Sequence, residues 1–280
     1  MAIKKTKSKK EITIGLALSG GGVRGYAHVG ALKALEENGI KVDFIAGTSI
    51  GALIGSLYCY YKDAKKVEEI VLGMEWRDLF TIRELSLKGG LVKGDQLEAY
   101  LKRELNKTEF GGLKIPLKII TTDYLTGEKV ELMEGPLAPA IQASCAFPLF
   151  FAPVNHAGRI LYDGGMTDPV PCQTVKEMGV DIILAVNLNN NKMFDPGKKI
   201  DTRLRSVIGQ ALRTMEKTLA KESTRPADIV IEPGVDGLEF FGIKDFIYKS
   251  GVKLVEVGYS ATMQEMPKIK KLIEKRTKEV

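Results

Sequence analysis

The chain has 280 residues, of which 44% are hydrophobic, 27% charged and 7% aromatic. This balance is typical of a globular protein with a sizeable core, and it excludes a disordered or collagen-like chain. The longest mainly apolar stretch, residues 50–61, is shorter than the roughly 20 residues that a membrane span needs. We therefore expect no transmembrane helix.

The formal net charge of +6 is concentrated at the two ends of the chain. Residues 1–10 contain five lysines, residues 268–280 contain six basic and two acidic residues, and the part between them is net acidic. Nucleic-acid binding needs a basic stripe on the folded surface, so we expect no nucleic-acid partner. Basic ends are typical of flexible, solvated tails, and they also leave open a peripheral contact with an anionic membrane.

Three cysteines, Cys59, Cys145 and Cys172, lie far apart and form neither a paired motif nor a metal-ligand cluster. We therefore expect reduced thiols in a cytoplasmic protein, with neither a metal nor another cofactor.

Short apolar runs alternate with helical periodicity, which is typical of βα units around a parallel sheet. Strands are predicted at residues 12–18, 42–46, 117–122, 129–132, 160–161, 182–187 and 229–232. Helices are predicted at residues 26–38, from the turn at 47 to about 61, and at 63–74, 95–105, 136–146, 201–222 and 258–275. Residues 75–94 break both patterns and are predicted to form a long loop or lid. We expect a basic tail over residues 1–10 and a single α/β domain over residues 11–280, with one sheet between helices.

Residues 47–51 read Gly-Thr-Ser-Ile-Gly and lie between a predicted strand and a predicted helix. In this setting a G-x-S-x-G sequence forms a nucleophile elbow, because Gly47 and Gly51 leave room for a tight turn that projects Ser49. We therefore expect Ser49 to be a nucleophile. The alternative is a serine that only caps the helix.

The first predicted strand ends in a glycine-rich loop, residues 20–25, with the sequence Gly-Gly-Gly-Val-Arg-Gly. Backbone N–H groups of successive glycines can point into one concavity that holds a phosphate or an oxyanion. The loop also matches the G-x-G-x-x-G pattern of dinucleotide sites, which requires an acidic residue at the end of the second strand. Asp43 lies near the start of that strand instead, so nucleotide binding is the less favoured alternative.

A serine nucleophile needs a base, and the chain has only two histidines. His28 lies in the helix after the glycine-rich loop and His156 in a predicted hairpin turn, and neither stands in a catalytic pattern. Asp163 follows a predicted strand and precedes Gly164 and Gly165, which places a carboxylate on a turn that allows close backbone approach. By itself, Asp-Gly-Gly is also typical of an ordinary turn.

Together these segments resemble the patatin-like phospholipase family, whose members are serine hydrolases with a Ser–Asp dyad and no catalytic histidine. The resemblance covers residues 12–190 and includes a fourth block, residues 143–148 (Ala-Ser-Cys-Ala-Phe-Pro), followed by Phe150 and Phe151. One departure is Asp168 before Pro169, where relatives often have asparagine.

This resemblance implies a three-layer α/β/α sandwich with a mostly parallel sheet. It implies that Ser49 is the nucleophile and Asp163 the base, and that the N–H groups of Gly21 and Gly22 form an oxyanion hole beside Arg24. The glycines that would support the site are Gly20, Gly25, Gly47, Gly51, Gly164 and Gly165.

The expected function is hydrolysis of a lipid acyl ester, such as a phospholipid or lysophospholipid, through an acyl-enzyme. The same serine also suits a thioesterase or an acyltransferase. A lipid-binding regulatory module without turnover is the alternative from another class.

Overall fold

The structure is a computed structural model that describes residues 11–74, 92–190, 202–235 and 246–279. Its centre is a mixed sheet, to which the described residues contribute eight strands. They are β1 (Ile14–Leu18), β2 (Phe44–Thr48), β3 (Leu117–Asp123), β4 (Lys129–Leu132), β5 (Val154–His156), β6 (Arg159–Asp163), β7 (Ile182–Val186) and β8 (Ile229–Ile231). The order is β5-β6-β3-β2-β1-β7-β8, with β4 paired to β3. The five strands from β3 to β8 in this order are parallel, whereas the pairings of β4, β5 and β6 are antiparallel.

Helices follow most of the parallel strands, as the sequence pattern predicts. The described residues form α1 (Tyr26–Glu37), α2 (Ile50–Tyr61), α3 (Ala64–Gly73), α4 (Asp95–Glu104), α5 (Leu137–Ser144), α6 (Cys172–Glu177), α7 (Leu204–Ser223) and α8 (Phe246–Glu279). Short 3-10 turns cover Gly22–Gly25, Phe110–Gly112 and Gly164–Met166. None of these helices combines the length and apolarity that a bilayer crossing requires.

Alternate residues of the central strands face two separate cores, because side chains along a strand point to opposite faces. Leu16 and Leu184 pack in the larger core, beneath α1 to α5 and α8. On the other face Ala17 packs in a smaller core with Val175 of α6 and Ala220 of α7. The predicted α/β/α sandwich is therefore confirmed.

Most predicted boundaries lie within three residues of the observed ones, and strand β5 and helix α6 are not among the predicted elements. Two differences have a physical reason in the structure. Strand β2 ends at Thr48 instead of residue 46, because the backbone of Gly47 and Thr48 still pairs with β3 and the turn begins only at Ser49. Helix α8 begins at Phe246, twelve residues before the prediction. The predicted tail at 1–10, residues 75–91 of the predicted lid and the predicted helix start at 201 lie outside the described residues.

Helices α1 and α8 cross at very short range through two glycines. A Cβ at Gly30 would lie 1.9 Å from the carbonyl oxygen of Val255, and a Cβ at Gly258 would lie 1.9 Å from the carbonyl oxygen of Ala27. Only glycine permits this approach of two backbones. Since α1 begins where the glycine-rich loop ends, the crossing also anchors one end of that loop.

The substitution Gly258→Ala should therefore destabilise the fold, because its new methyl group meets backbone that cannot rotate away. We expect a loss of about 1–3 kcal/mol in the free energy of unfolding, measured by chemical denaturation. Gly73→Ala is the matched control, because no atom lies within 4 Å of its Cβ position. A variant at Gly258 as stable as this control would contradict the close crossing.

Candidate active site

Ser49 lies between β2 and α2 with φ 54° and ψ −122°, a backbone conformation that residues with side chains rarely adopt. The neighbouring glycines leave the turn just enough space. A Cβ at Gly47 would lie 2.5 Å from the carbonyl oxygen of Gly51, and a Cβ at Gly51 would lie 2.3 Å from the carbonyl oxygen of Leu18. This strained strand-to-helix turn has the geometry of a nucleophile elbow.

Asp163, the last residue of β6, meets Ser49 across the end of the sheet. The Ser49 hydroxyl donates a hydrogen bond to Asp163 Oδ2 at 2.6 Å, and the Gly165 N–H donates to Oδ1 at 2.8 Å. Asp163 is 1% exposed. Its burial raises the pKa of the carboxyl group to about 7, and these two hydrogen bonds oppose the rise. A pKa near neutrality suits a group that accepts and returns a proton.

Ser144 holds the elbow in position. Its hydroxyl oxygen accepts a hydrogen bond from the Ser49 N–H at 2.8 Å, and its hydroxyl donates to the Ile120 carbonyl of β3 at 2.6 Å. The side chain is fully buried. Ser144 belongs to the family-like block at residues 143–148, but no sequence pattern predicts a function for it.

The thiol of Cys145 lies near Ser49 and Asp163. Burial raises the pKa of this thiol, and the nearby charge of Asp163 raises it further. The thiolate is the reactive form of cysteine, so the thiol is unreactive at neutral pH. Ser49 is therefore the better placed nucleophile of the two.

The glycine-rich loop lies beside the elbow. A Cβ at Gly20 would lie 3.6 Å from Ser49 Cβ, and the Gly20 N–H donates to the Pro169 carbonyl at 3.0 Å. Gly22 has φ 57°, a conformation that favours glycine. Within the described residues no hydrogen bond uses the N–H groups of Gly21 or Gly22, so both remain available to a ligand.

The side chain of Arg24 forms a hydrogen bond with the backbone of this loop. Its Nε donates to the Gly21 carbonyl at 3.0 Å. Burial lowers the pKa of the guanidinium group, and the negative charge of Glu216 opposes that change. Because arginine keeps its charge even so, Arg24 is a fixed cation beside the loop.

Asp168, which stands where relatives often have asparagine, forms two polar contacts in this chain. Its carbonyl accepts a hydrogen bond from the Thr48 hydroxyl at 2.8 Å, and its carboxylate pairs with Lys129 at 3.4 Å. A neutral asparagine at this position would not need the positive charge of Lys129 to balance it. The turn therefore keeps its contact with β2 despite the acidic residue.

Neither histidine contacts the Ser49–Asp163 pair. His28 is fully buried in α1, where its Nε2 donates to the Ser19 carbonyl at 2.8 Å and burial lowers its pKa to about 4. His156 lies at the end of β5, in the predicted hairpin. The described residues thus offer Asp163, not a histidine, as the base next to Ser49.

Two charged residues near the site were missed by the sequence analysis. Glu216 and Arg213 lie on α7, and the charge of Glu216 interacts with both Asp163 and Arg24. No motif marked them, because they belong to an ordinary amphipathic helix far along the chain.

The sequence model of the patatin-like phospholipases matches residues 16–176, which is more than half of the chain and contains the elbow, the loop and Asp163. The protein belongs to the patatin-like phospholipase family. Its relatives include an uncharacterized NTE family protein of Mycobacterium tuberculosis, 33% identical over 183 residues that make up 64% of this chain and 50% of the relative. Human patatin-like phospholipase domain-containing protein 6 is 29% identical over 191 residues, 65% of this chain and 14% of that protein. The chain thus spans half or less of the length of these relatives.

Among the solved structures that share the fold of this chain are two from different organisms. VipD from Legionella pneumophila is similar with a TM-score of 0.60 at 16% identity, over 95% of this chain and 67% of VipD. Human GIVD cytosolic phospholipase A2, in complex with methyl gamma-linolenyl fluorophosphonate, gives a TM-score of 0.50 at 13% identity, over 97% of this chain and 60% of that one. At such identities the likeness concerns the fold alone.

Asp163→Asn should stabilise the protein at high pH. The pKa of this carboxyl is about 7 in the folded chain against an ordinary value of 3.8, so the wild-type fold loses stability as the pH rises between these values. Asparagine has no charge to bury. We expect the variant to be more stable than wild type above pH 8 by on the order of a few kcal/mol, and equally stable near pH 4.

Chemical denaturation at pH 4, 6 and 8 measures this difference. Glu128→Gln, at an exposed position of the β3–β4 turn, is the control and should show no such dependence on pH. A constant difference between Asp163→Asn and wild type across this range would contradict the buried, destabilised carboxylate.

Proposed function

We propose that this protein hydrolyses carboxylic esters of lipids through an acyl-enzyme on Ser49, with Asp163 as general base and then general acid. The observation that carries the proposal is the 2.6 Å hydrogen bond from the strained Ser49 to the buried Asp163. Membership of the patatin-like phospholipase family supports the substrate class.

In the first half of the reaction, Asp163 accepts the Ser49 proton as the serine oxygen attacks the ester carbonyl carbon. The carbonyl π electrons move to its oxygen, which becomes an oxyanion. When this intermediate collapses, the bond to the leaving alcohol breaks, and that alkoxide takes the proton from Asp163. The products are the free alcohol and an acyl group esterified to Ser49.

In the second half, water replaces the alcohol. Asp163 takes a proton from the water as its oxygen attacks the acyl carbon, and a second oxyanion forms. Collapse breaks the bond to Ser49, whose oxygen recovers the proton from Asp163. The fatty acid leaves, and both side chains return to their initial protonation states.

The oxyanion of both steps would bind the N–H groups of Gly21 and Gly22. Within the described residues these donors have no other acceptor, and a donor that is fixed in advance stabilises the transition state without reorganisation. The contact of Arg24 with the Gly21 carbonyl keeps the loop in this conformation.

Half-buried apolar side chains in the segment after Cys145 support a lipid acyl chain as the ligand. Phe147, Leu149 and Phe150 follow Cys145 and are half-buried, and the rings of Phe147 and Phe150 lie 6.2 Å apart. Because Cys145 lies near Ser49, we propose that these side chains supply apolar surface for the acyl chain.

Fluorophosphonate labelling followed by intact-protein mass tests the nucleophile without knowledge of the head group. The wild-type chain should gain one adduct, and Ser49→Ala should gain none. Cys145→Ala is the matched control at the adjacent nucleophilic atom and should label like wild type. A full adduct on Ser49→Ala would contradict the proposed nucleophile.

Hydrolysis of p-nitrophenyl acyl esters tests the base. Asp163→Asn keeps the shape of the side chain but cannot accept the serine proton, so kcat should fall by about a thousandfold or more. His28→Gln and His156→Gln should retain substantial activity, with folding checked by circular dichroism. Loss of activity in a folded His28→Gln variant would favour a histidine base and exclude the dyad.

A further inference from the structure

We propose that Glu216 is a positioning residue of this site, whose charge governs how strongly Asp163 binds the serine proton and holds Arg24 against the glycine-rich loop. This inference rests on the proposed function, because it concerns the same base. In the described part of the chain no hydrogen bond joins Glu216 to Ser49 or to the proposed oxyanion donors, and it acts through Asp163 and Arg24.

The geometry places two carboxylates around one glycine. A Cβ at Gly165 would lie 2.3 Å from Glu216 Oε1 and 3.2 Å from Asp163 Oδ1. Glu216 Oε1 and Asp163 Oδ1 therefore both lie next to the position that a methyl group at Gly165 would occupy. The Gly165 N–H donates to Asp163 Oδ1, so Glu216 packs against the same turn that orients the base.

The charged groups that face Glu216 come from three elements. They are Asp163 at the end of β6, Arg24 in the glycine-rich loop and Arg213 one turn earlier on α7. Burial raises the pKa of Glu216 to about 8, the charge of Asp163 raises it further, and the two arginines oppose both effects. Two like groups this close titrate as a pair, in two steps that belong to both.

Glu216 also links the base to the oxyanion loop. When Glu216 is ionised, its negative charge compensates the buried guanidinium of Arg24, whose Nε donates to the Gly21 carbonyl. In a planar trans peptide the Gly21 carbonyl and the Gly22 N–H point in opposite directions. Because Arg24 holds the Gly21 carbonyl on its own side of the peptide plane, the Gly22 N–H is held pointing to the opposite side.

The sign of the electrostatic effect follows from where charge moves during catalysis. The negative charge on Asp163 disappears when it accepts the serine proton, and a negative charge develops on the ester oxygen. Glu216 packs beside Asp163, so its ionised form raises the free energy of the ground state more than that of the transition state. Ionisation of Glu216 should therefore increase the rate.

The test is the pH dependence of fluorophosphonate labelling of the full chain between pH 5.5 and 9.5. In the wild type we expect two rises, one near pH 7 and one near pH 8. Glu216→Gln should show a single rise, at or below pH 7, because the neutral amide removes the second ionisation. At pH 9 its labelling rate should be lower by on the order of three- to tenfold.

Two further variants complete the test. Glu222→Gln removes an exposed carboxylate from the same helix, where Glu222 pairs with Arg225 at 2.8 Å, and it should keep the wild-type profile. Gly165→Ala keeps Glu216 but displaces its carboxylate, since the new methyl group would lie 2.3 Å from Oε1. It should weaken the second rise even where Glu216→Gln fails to fold.

Two results would overturn the inference. One is a two-step profile with wild-type rates in both Glu216→Gln and Gly165→Ala. The other is an equal loss of rate at every pH, because a purely structural function lowers the profile without changing its shape. Absence of labelling in the wild-type chain would instead refute the proposed function, and this inference with it.

Discussion

The proposed chemistry of this protein depends on a carboxylate that is kept almost free of water, yet is hydrogen-bonded to a serine. Asp163 is 1% exposed, and burial, opposed by the hydrogen bonds from Ser49 and Gly165, moves its pKa from an ordinary 3.8 to about 7. In water a carboxylate is too weak a base to take a proton from a serine hydroxyl. Desolvation raises the pKa of the carboxyl group and so makes it a stronger base, closer to the histidine that serves as the base in serine hydrolases with a Ser-His-Asp triad.

The fold supports this carboxylate at the expense of stability. An unpaired buried charge costs free energy, and the hydrogen bonds from Ser49 and Gly165 offset part of it. The packing of the surrounding sandwich must offset the rest of this free-energy cost. Its sheet brings together Ser49 and Asp163, which are 114 positions apart in sequence. The elbow, the glycine-rich loop and the Asp-Gly-Gly turn each follow the end of a strand, and the neighbouring positions of β1, β2, β3 and β6 bring these turns together.

The parts of the site that the sequence predicts are those in which the backbone needs glycine. Gly47 and Gly51 flank the elbow because any side chain there would collide with main-chain atoms, and this requirement is visible as a short motif. The alternation of strands and helices was equally visible, since the parallel strands are apolar on both faces.

Other parts of the site have no local pattern. The Ser144 hydroxyl forms hydrogen bonds with Ser49 and with Ile120, and both of these residues lie far from Ser144 in sequence. The position of Glu216 near the site depends on which face of α7 lies against the Asp163 turn. The amphipathic sequence of one helix does not predict which neighbour each face contacts. The early start of α8 was missed for a related reason, because tertiary packing and not periodicity decides where a long helix begins.

The most direct test of this account is the titration of Asp163 itself. Carbon-13 labelling of aspartate side-chain carboxyls, followed by NMR across pH 3 to 9, reports each carboxyl, and comparison with Asp163→Asn assigns the signal. The account predicts a midpoint near pH 7 for Asp163. A midpoint near the ordinary value of about 4 would contradict it, because a carboxylate so fully ionised at neutral pH would be too weak a base for Ser49.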